Sequence, residues 1–213
     1  RMLSEDWRGL SVVYLCPIKA LLNDLEHRLQ SYAALFGRSL GVWHGDVTPS
    51  QRKRLRDDPP DILLATPESV EVILDSRKTD HRAFFRDLSV VVVDEIHAFA
   101  GDDRGWHLLA LLGRLEVLTN GAIQRLGLSA TVGNAENLLS WLMAGYDGRG
   151  RVISPEVAGG QQPDVTLDQV GSLDNAGTVI ASLHTGEKRL VFCDSRRQVE
   201  ELAVRLRALG VET

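Results

Sequence analysis

Four consecutive valines, Val90 to Val93, run directly into Asp94 and Glu95. A β-branched run with no polar alternation reads as a strand covered on both faces, the pattern of a central strand in a parallel sheet. The abrupt change to two adjacent carboxylates then fixes where chemistry belongs. In open α/β sheets, ligands sit outside the carboxyl ends of the strands. Asp94 there suits Mg²⁺, held through water, because that ion dehydrates reluctantly and takes one or two carboxylates plus phosphates. Glu95 suits the orientation and deprotonation of a water attacking a γ-phosphate. The competing reading makes Asp94 a helix cap and Glu95 a solvated side chain.

The rest of the chain alternates in the same way. Ser11 to Leu15 reads as a strand stopped by Pro17. Leu22, Leu25, Leu29, Tyr32, Ala33 and Phe36 fall at helical spacing, which predicts a helix over Ile18 to Phe36. Ser39 to His44 is a second strand. Thr48-Pro49-Ser50-Gln51 has the form of a capping box with proline at the first helical position. Asp61 to Ala65 is a third strand, and Thr66-Pro67 starts another helix. After the valine strand, Leu108, Leu111, Leu112, Leu115 and Leu118 mark one helix face. Ile123 to Leu128 is a further strand, followed by Ser129-Ala130-Thr131 and a helix from about Asn134. Strands alternating with helices predict an α/β fold, with a parallel sheet, right-handed crossovers and helices on both faces.

Gly148, Gly150, Pro155, Gly159, Gly160 and Pro163 mark a linker. The expected organisation is a first domain over residues 1–153, a linker over 154–170 and the beginning of a second α/β domain over 171–213. In that second part Asp174 to His184 reads as helix, Leu190 to Cys193 as strand, and Val199, Leu202, Ala203, Leu206 and Leu209 as an amphipathic helix. So short a piece buries little core.

A formal net charge of -5 excludes a global basic field, so any nucleic-acid binding must rest on local patches. Arg52, Lys53, Arg54 and Arg56 form one such cluster, although a charge run is more often a solvated helix face. The two cysteines, Cys16 and Cys193, each fall in an expected buried strand, as reduced residues of a cytoplasmic protein would. No Cys/His spacing suits zinc. No apolar run is long enough to span a membrane.

The motifs in order are Pro17-Ile18-Lys19-Ala20-Leu21, His44-Gly45-Asp46, Ala65-Thr66-Pro67-Glu68, Asp94-Glu95-Ile96-His97, Ser129-Ala130-Thr131 and Val191-Phe192-Cys193-Asp194-Ser195. This set resembles superfamily 2 DExH-box helicases. The Arg-Gly stretch within Phe99 to Leu109 is most similar to the large helicase-related (Lhr-like) subgroup. One DExH alone is a weak signal; six motifs in order are specific. The resemblance implies a RecA-like (P-loop NTPase) sheet followed by the start of a second RecA-like domain. It implies ATP and Mg²⁺ as nucleotide and metal. Asp94, Glu95 and His97 are then catalytic, and Ser129 and Thr131 couple nucleotide state to strand separation. Pro17, Lys19, Gly45, Thr66, Pro67 and Glu68, with Ser195 and Arg196 from the second domain, then hold a nucleic-acid backbone.

The local chemistry keeps its own readings beside these. Thr66-Pro67 and Ser195 with Gln198 are good helix starts, Gly45 suits a turn, and a lone histidine is commonly structural. Free amides at helix N-termini also bind phosphates without reading bases. No Gly-Lys dipeptide occurs, so the GxxxxGK[ST] phosphate loop is absent from these 213 residues. The family places that loop upstream of the motifs seen here, and its arginine finger after them. The chain therefore reads as the central segment of an ATP-dependent helicase or translocase, expected to be inactive alone. The alternative is a nucleotide-free nucleic-acid-binding module derived from one. A different P-loop ATPase sharing only the acidic box leaves the Ala-Thr-Pro-Glu and Ser-Ala-Thr loops unexplained. DNA versus RNA, oligomeric state and a role in repair, defence or RNA handling are not encoded in these motifs.

Overall fold

The computed structural model describes residues 9–130, 132–154, 164–183 and 185–213, and the chain divides into two units, Arg1–Ser154 and Pro155–Thr213. The first unit runs β1 (Val12–Leu15), α1 (Lys19–Leu35), β2 (Leu40–Trp43), α2 (Pro49–Asp57), β3 (Ile62–Ala65) and α3 (Pro67–Leu74). It continues with α4 (His81–Phe85), β4 (Val90–Val93), a 3₁₀ turn (Ile96–Ala98), α5 (Asp103–Leu118), β5 (Gln124–Gly127) and α6 (Ala135–Leu142). All pairings are parallel, in the order β2-β3-β1-β4-β5.

Local chemistry explains the helix boundaries. The α1 helix ends where Gly37, at φ 65°, turns left-handed and its N–H and that of Arg38 return to the Ala34 and Ala33 carbonyls. At α2, Thr48 and Gln51 satisfy each other's backbone N–H groups in the reciprocal arrangement their spacing predicts. The short α4 was not foreseen. Asp80 caps it and Phe84 and Phe85 bury it, but five residues are too few for a helical period to show in sequence.

Val13, Leu15, Leu63, Ala65, Val91 and Val93 point to one face of the sheet. They pack with Val70 and Ile73 of α3, Phe84 and Phe85 of α4, and Leu108, Leu111, Leu112 and Leu115 of α5. On the other face Cys16, Leu64 and Leu22 of α1 form a smaller cluster with Tyr14, Leu25 and Leu29 around it. The expectation that the valine strand is covered on both faces needs correction. Val90, Val91 and Val93 are buried as expected, but Val92 is only partly buried, and Leu126 and Leu128 beside it are 38% and 44% exposed. The α1 helix covers the β2-β3-β1 side of this face, and among the described residues the β4-β5 side carries less cover.

The second unit contains α7 (Leu173–Ser182) and α8 (Arg196–Ala208). Gly177 lets the two helices approach: a Cβ there would stand 3.1 Å from Arg205 Cδ. Arg205 pairs with Asp174 at 2.6 Å. The expected strand Leu190 to Cys193 is not formed. A strand needs a paired neighbour for its backbone groups, and no other strand lies among the described residues of this unit. Leu190 and Phe192 are accordingly 80% and 85% exposed, and Cys193 is not buried. Residues 155–163 of the expected linker lie outside the described residues. Among those described, no helix is long and apolar enough to cross a membrane.

Candidate functional site

Parallel register gathers the motifs at one edge. Trp43, Ala65, Leu15, Val93 and Gly127 stand in a single row across the five strands. The next residues in each strand are His44, Thr66, Cys16, Asp94 and Leu128. The acidic box and three of the proposed strand-binding motifs therefore leave the same side of the same sheet.

The Asp94 N–H donates to the Leu15 carbonyl at 2.8 Å, which fixes the turn out of β4. Asp94 Oδ1 accepts from the Glu95 N–H at 3.0 Å. Glu95 is then held left-handed, at φ 47° and ψ 45°, the one non-glycine residue with positive φ among those described. That conformation costs about 1–3 kcal/mol and persists where neighbouring contacts over-determine it. Here the Ile96 N–H donates to Leu128 O at 2.9 Å and the Leu128 N–H to Val93 O at 2.9 Å, locking both sides of the turn. Gly127 makes room: a Cβ there would stand 2.7 Å from Ile96 Cδ1.

His97 Nδ1 is hydrogen-bonded to Ser129 Oγ at 2.8 Å and lies 3.4 Å from Glu95 Oε2. One imidazole thus touches both the acidic box and the Ser-Ala loop. Arg125 sets the strand beneath that loop. Its side chain is 2% exposed, pairs with Glu116 of α5 at 2.9 Å, donates to Leu142 O at 2.7 Å and lies 4.8 Å over the Tyr146 ring. Thr131, the other proposed coupling residue, lies outside the described residues.

Burial, then the charge of Asp94, pushes the Tyr14 hydroxyl above its ordinary range. Burial, with Asp94 and Glu95 beyond it, pushes the Cys16 thiol up to about 12, so Cys16 is a neutral thiol and not a nucleophile. Among the described residues no three His, Cys, Asp or Glu side chains converge to hold a metal. A hard cation that keeps its waters and shares phosphates needs no such cage. Asp94 fits Mg²⁺ in that manner.

Beside the acidic box lies a groove of about 540 Å³, lined by Pro17, Ile18, Lys19, His44, Gly45, Arg52, Thr66, Glu68, Ser69, Val72 and Arg104, with Trp43 at its base. Lys19 Nζ donates to both Asp46 oxygens, at 2.9 and 3.0 Å, and this hydrogen bond and charge hold the Asp46 carboxyl below its ordinary value. Arg52 donates to the Gly45 carbonyl at 2.7 Å, which places one member of the basic cluster in the groove. Lys53 pairs with Asp57 and Arg54 is exposed on α2. Gly45 is not demanded by crowding, since a Cβ there would meet Lys19 Nζ at an ordinary 3.5 Å. Thr66 caps α3 through the Ser69 N–H at 3.3 Å, and Pro67 is buried. Ser195 caps α8 through the Gln198 N–H at 3.3 Å, and Arg196 is exposed beside it in the second unit.

Two residues of this edge were not singled out by sequence reasoning. Arg104 was visible only as part of an Arg-Gly stretch, and Arg125 not at all. In the structure Arg104 reaches Glu68 and the Pro17 carbonyl, while Gly105 allows the start of α5 to lie against Phe99.

Residues 1–138 match the family model for DEAD/DEAH box helicases. The chain belongs to this family. Curated relatives include Lhr helicase/uracil glycosylase of Escherichia coli (strain K12), 32% identical over 93% of this chain and 15% of the relative. Another is Lhr helicase/probable uracil glycosylase of Mycolicibacterium smegmatis, 31% identical over 98% of this chain and 15% of the relative. The chain thus spans about 15% of the length of these relatives. A solved structure of Mycobacterium smegmatis helicase Lhr bound to ssDNA and AMP-PNP superposes with a TM-score of 0.75 at 32% identity, covering 96% of this chain and 29% of that one. The DUF1998 helicase MrfA bound to DNA gives a TM-score of 0.76 at 21% identity, covering 94% of this chain and 30% of that one, and so shows the fold alone. The RecA-like character of the sheet is established by these likenesses.

Proposed function

We propose that this chain is the central part of a motor that hydrolyses ATP and uses it to move along, and separate, nucleic-acid strands. The observation that carries the reading is the shared row at the carboxyl ends of the sheet. Asp94 and Glu95 leave β4 in line with the residues that open the groove from β1, β2 and β3. One rigid element then serves a nucleotide and a nucleic-acid strand at once.

In this reading Asp94 positions Mg²⁺ through water, and that ion supplies charge neutralisation at the phosphates. Glu95 takes the proton from the attacking water. Its left-handed backbone is held by the contacts of the turn, and its carboxylate lies 3.4 Å from His97 Nδ1. His97, hydrogen-bonded to Ser129 and near Glu95, carries changes at the acidic box to the loop after β5. Neutral hydroxyls are poor at moving protons or holding Mg²⁺, so the work of Ser129 and Thr131 is geometric. Such a link transmits a signal because its contacts differ between nucleotide states.

The groove suits a backbone, not base edges. Lys19 and Arg52 supply positive charge, and the start of α3 at Thr66 and Pro67 supplies amide N–H groups. Glu68 contributes through its partner Arg104. Ser195 and Arg196 supply a comparable helix start in the second unit. The Lhr relative solved with ssDNA supports a single strand as the occupant.

Equilibrium binding of homopolymeric oligonucleotides tests the reading. Affinity is expected to be similar across sequences and to fall with salt, with a slope of about 0.7 per phosphate neutralised. Strong base preference with a flat salt response contradicts a backbone track.

A further inference from the structure

Arg104 makes more contacts than its pairing with Glu68 requires. Its Nη2 donates to the Pro17 carbonyl at 2.9 Å and to Glu68 Oε1 at 2.9 Å, and its Nε donates to the same carboxylate oxygen at 3.1 Å. Its guanidinium carbon lies 5.1 Å over the Phe99 ring. Phe99 is fully buried, and its N–H donates to the Ile96 carbonyl in the turn that leaves Glu95. One side chain therefore joins three distant segments: the loop after β1, the first turn of α3, and the chain leaving the acidic box.

Stability does not explain this arrangement. The Arg104 and Glu68 side chains are 39% and 53% exposed, and ion pairs so exposed contribute little to folding. Phosphate attraction does not account for the geometry either, because Nε and Nη2 are directed at the Glu68 carboxylate and the Pro17 carbonyl. Burial alone would raise the Glu68 carboxyl, yet the Glu68 backbone N–H and Arg104 hold it below its ordinary value and keep it charged. What the planar fork does uniquely is fix distances, since its donors leave in set directions.

We propose that Arg104 is a positioning residue of the strand groove: its fork holds the Pro17 wall and the Glu68 wall at a fixed spacing, and its stack on Phe99 anchors both to the acidic-box segment. This rests on the groove being a nucleic-acid track. A lysine at this position keeps the charge but cannot reproduce the fork. The groove walls then lose their register, and phosphates meet donors that are no longer aligned.

The test is binding of a fluorescent oligothymidylate to the whole 213-residue chain over a salt series. Wild type, Arg104→Lys, Arg104→Gln and Lys19→Gln are compared, each with its thermal midpoint. Arg104→Lys and Arg104→Gln are both expected to weaken binding by about tenfold, the scale of one hydrogen bond to a charged group. Their salt slopes stay at the wild-type value, whereas Lys19→Gln loses about 0.7 from its slope as one phosphate contact disappears. Wild-type affinity in Arg104→Lys overturns the proposal. So does a slope reduced by about 0.7 in Arg104→Gln and restored in Arg104→Lys, which makes Arg104 a direct phosphate ligand. Weakening that tracks a lowered midpoint and vanishes at low temperature overturns it as well, because the role is then structural. If the wild-type chain itself shows no salt-dependent binding, the track reading fails first, and that result is distinct from all of these.

Discussion

Gly105→Ala sets two opposing effects against each other. Gly105 is a buried residue of the first turn of α5, and in an open helix alanine is favoured over glycine by about 0.8–1.0 kcal/mol. The structure removes that benefit. A Cβ at this position would stand 2.3 Å from the Phe99 carbonyl oxygen and 3.1 Å from Trp141 Cζ2. The nearer atom is backbone, so relief requires the first turn of α5 to move by about 1 Å, the amount by which the contact falls short of an ordinary van der Waals separation. Overpacking of this kind costs about 1–3 kcal/mol and occasionally more. The net expectation is a loss of up to about 2 kcal/mol, or up to roughly 8 °C in Tm for a unit of this size. Urea denaturation of wild type and variant checks it, with the midpoint falling and the slope unchanged. The same displacement moves Arg104 away from Pro17 and Glu68, so oligonucleotide affinity should fall with stability. A variant stabilised by about 1 kcal/mol would refute the close approach, because helix propensity alone would then govern the site.

Two further perturbations have definite directions. Burial alone would raise the Asp61 carboxyl, but the Ser39 N–H and hydroxyl and the Arg38 guanidinium together hold it below its ordinary value. A carboxyl lowered by folding stabilises above its unfolded pKa, about 3.9, and the stabilisation is lost as pH falls through the folded value. Asp61→Asn should therefore be less stable than wild type at neutral pH, and the two urea midpoints should converge below about pH 4; a gap that persists at low pH assigns the loss to packing. Ser129→Ala with Thr131→Ala, in the intact gene product, should leave strand binding and much of ATP turnover but sharply reduce duplex separation. Measuring both activities on one preparation checks this, and a parallel fall in the two places the loop in the chemical site or the fold.

The core strands and the acidic box were legible because their signals are local. Valines 90 to 93 need no partner to read as a strand, and Thr48 with Gln51 carries its own cap. The helix expected over Ile18 to Phe36 is found over Lys19–Leu35 for the same reason. What sequence could not show depends on neighbours. Leu190 to Cys193 has strand composition, but a strand is a pairing and not a composition, and no partner is present in its unit among the described residues. The open face beside Val92 and Leu126 is equally invisible in a run of apolar letters. Arg104 and Arg125 read as surface charge until the fold brings Glu68, Pro17, Glu116 and Leu142 to them. The 2.8 Å contact of His97 with Ser129 follows from β4 and β5 being neighbours in the sheet, since the two residues lie just beyond the ends of those strands.

The central claim is that Glu95 moves the proton while Asp94 and the groove serve binding. Single-turnover ATP hydrolysis by the intact gene product, with and without single-stranded nucleic acid, measures this most directly. Wild type should be stimulated by the strand. Glu95→Gln keeps the size and hydrogen bonding of the side chain but removes the base, so it should bind nucleotide and strand as wild type does. Its turnover should fall by about 10²–10⁴-fold, the contribution typical of positioned proton transfer. Hydrolysis by Glu95→Gln at the wild-type rate, with binding intact, would contradict the account.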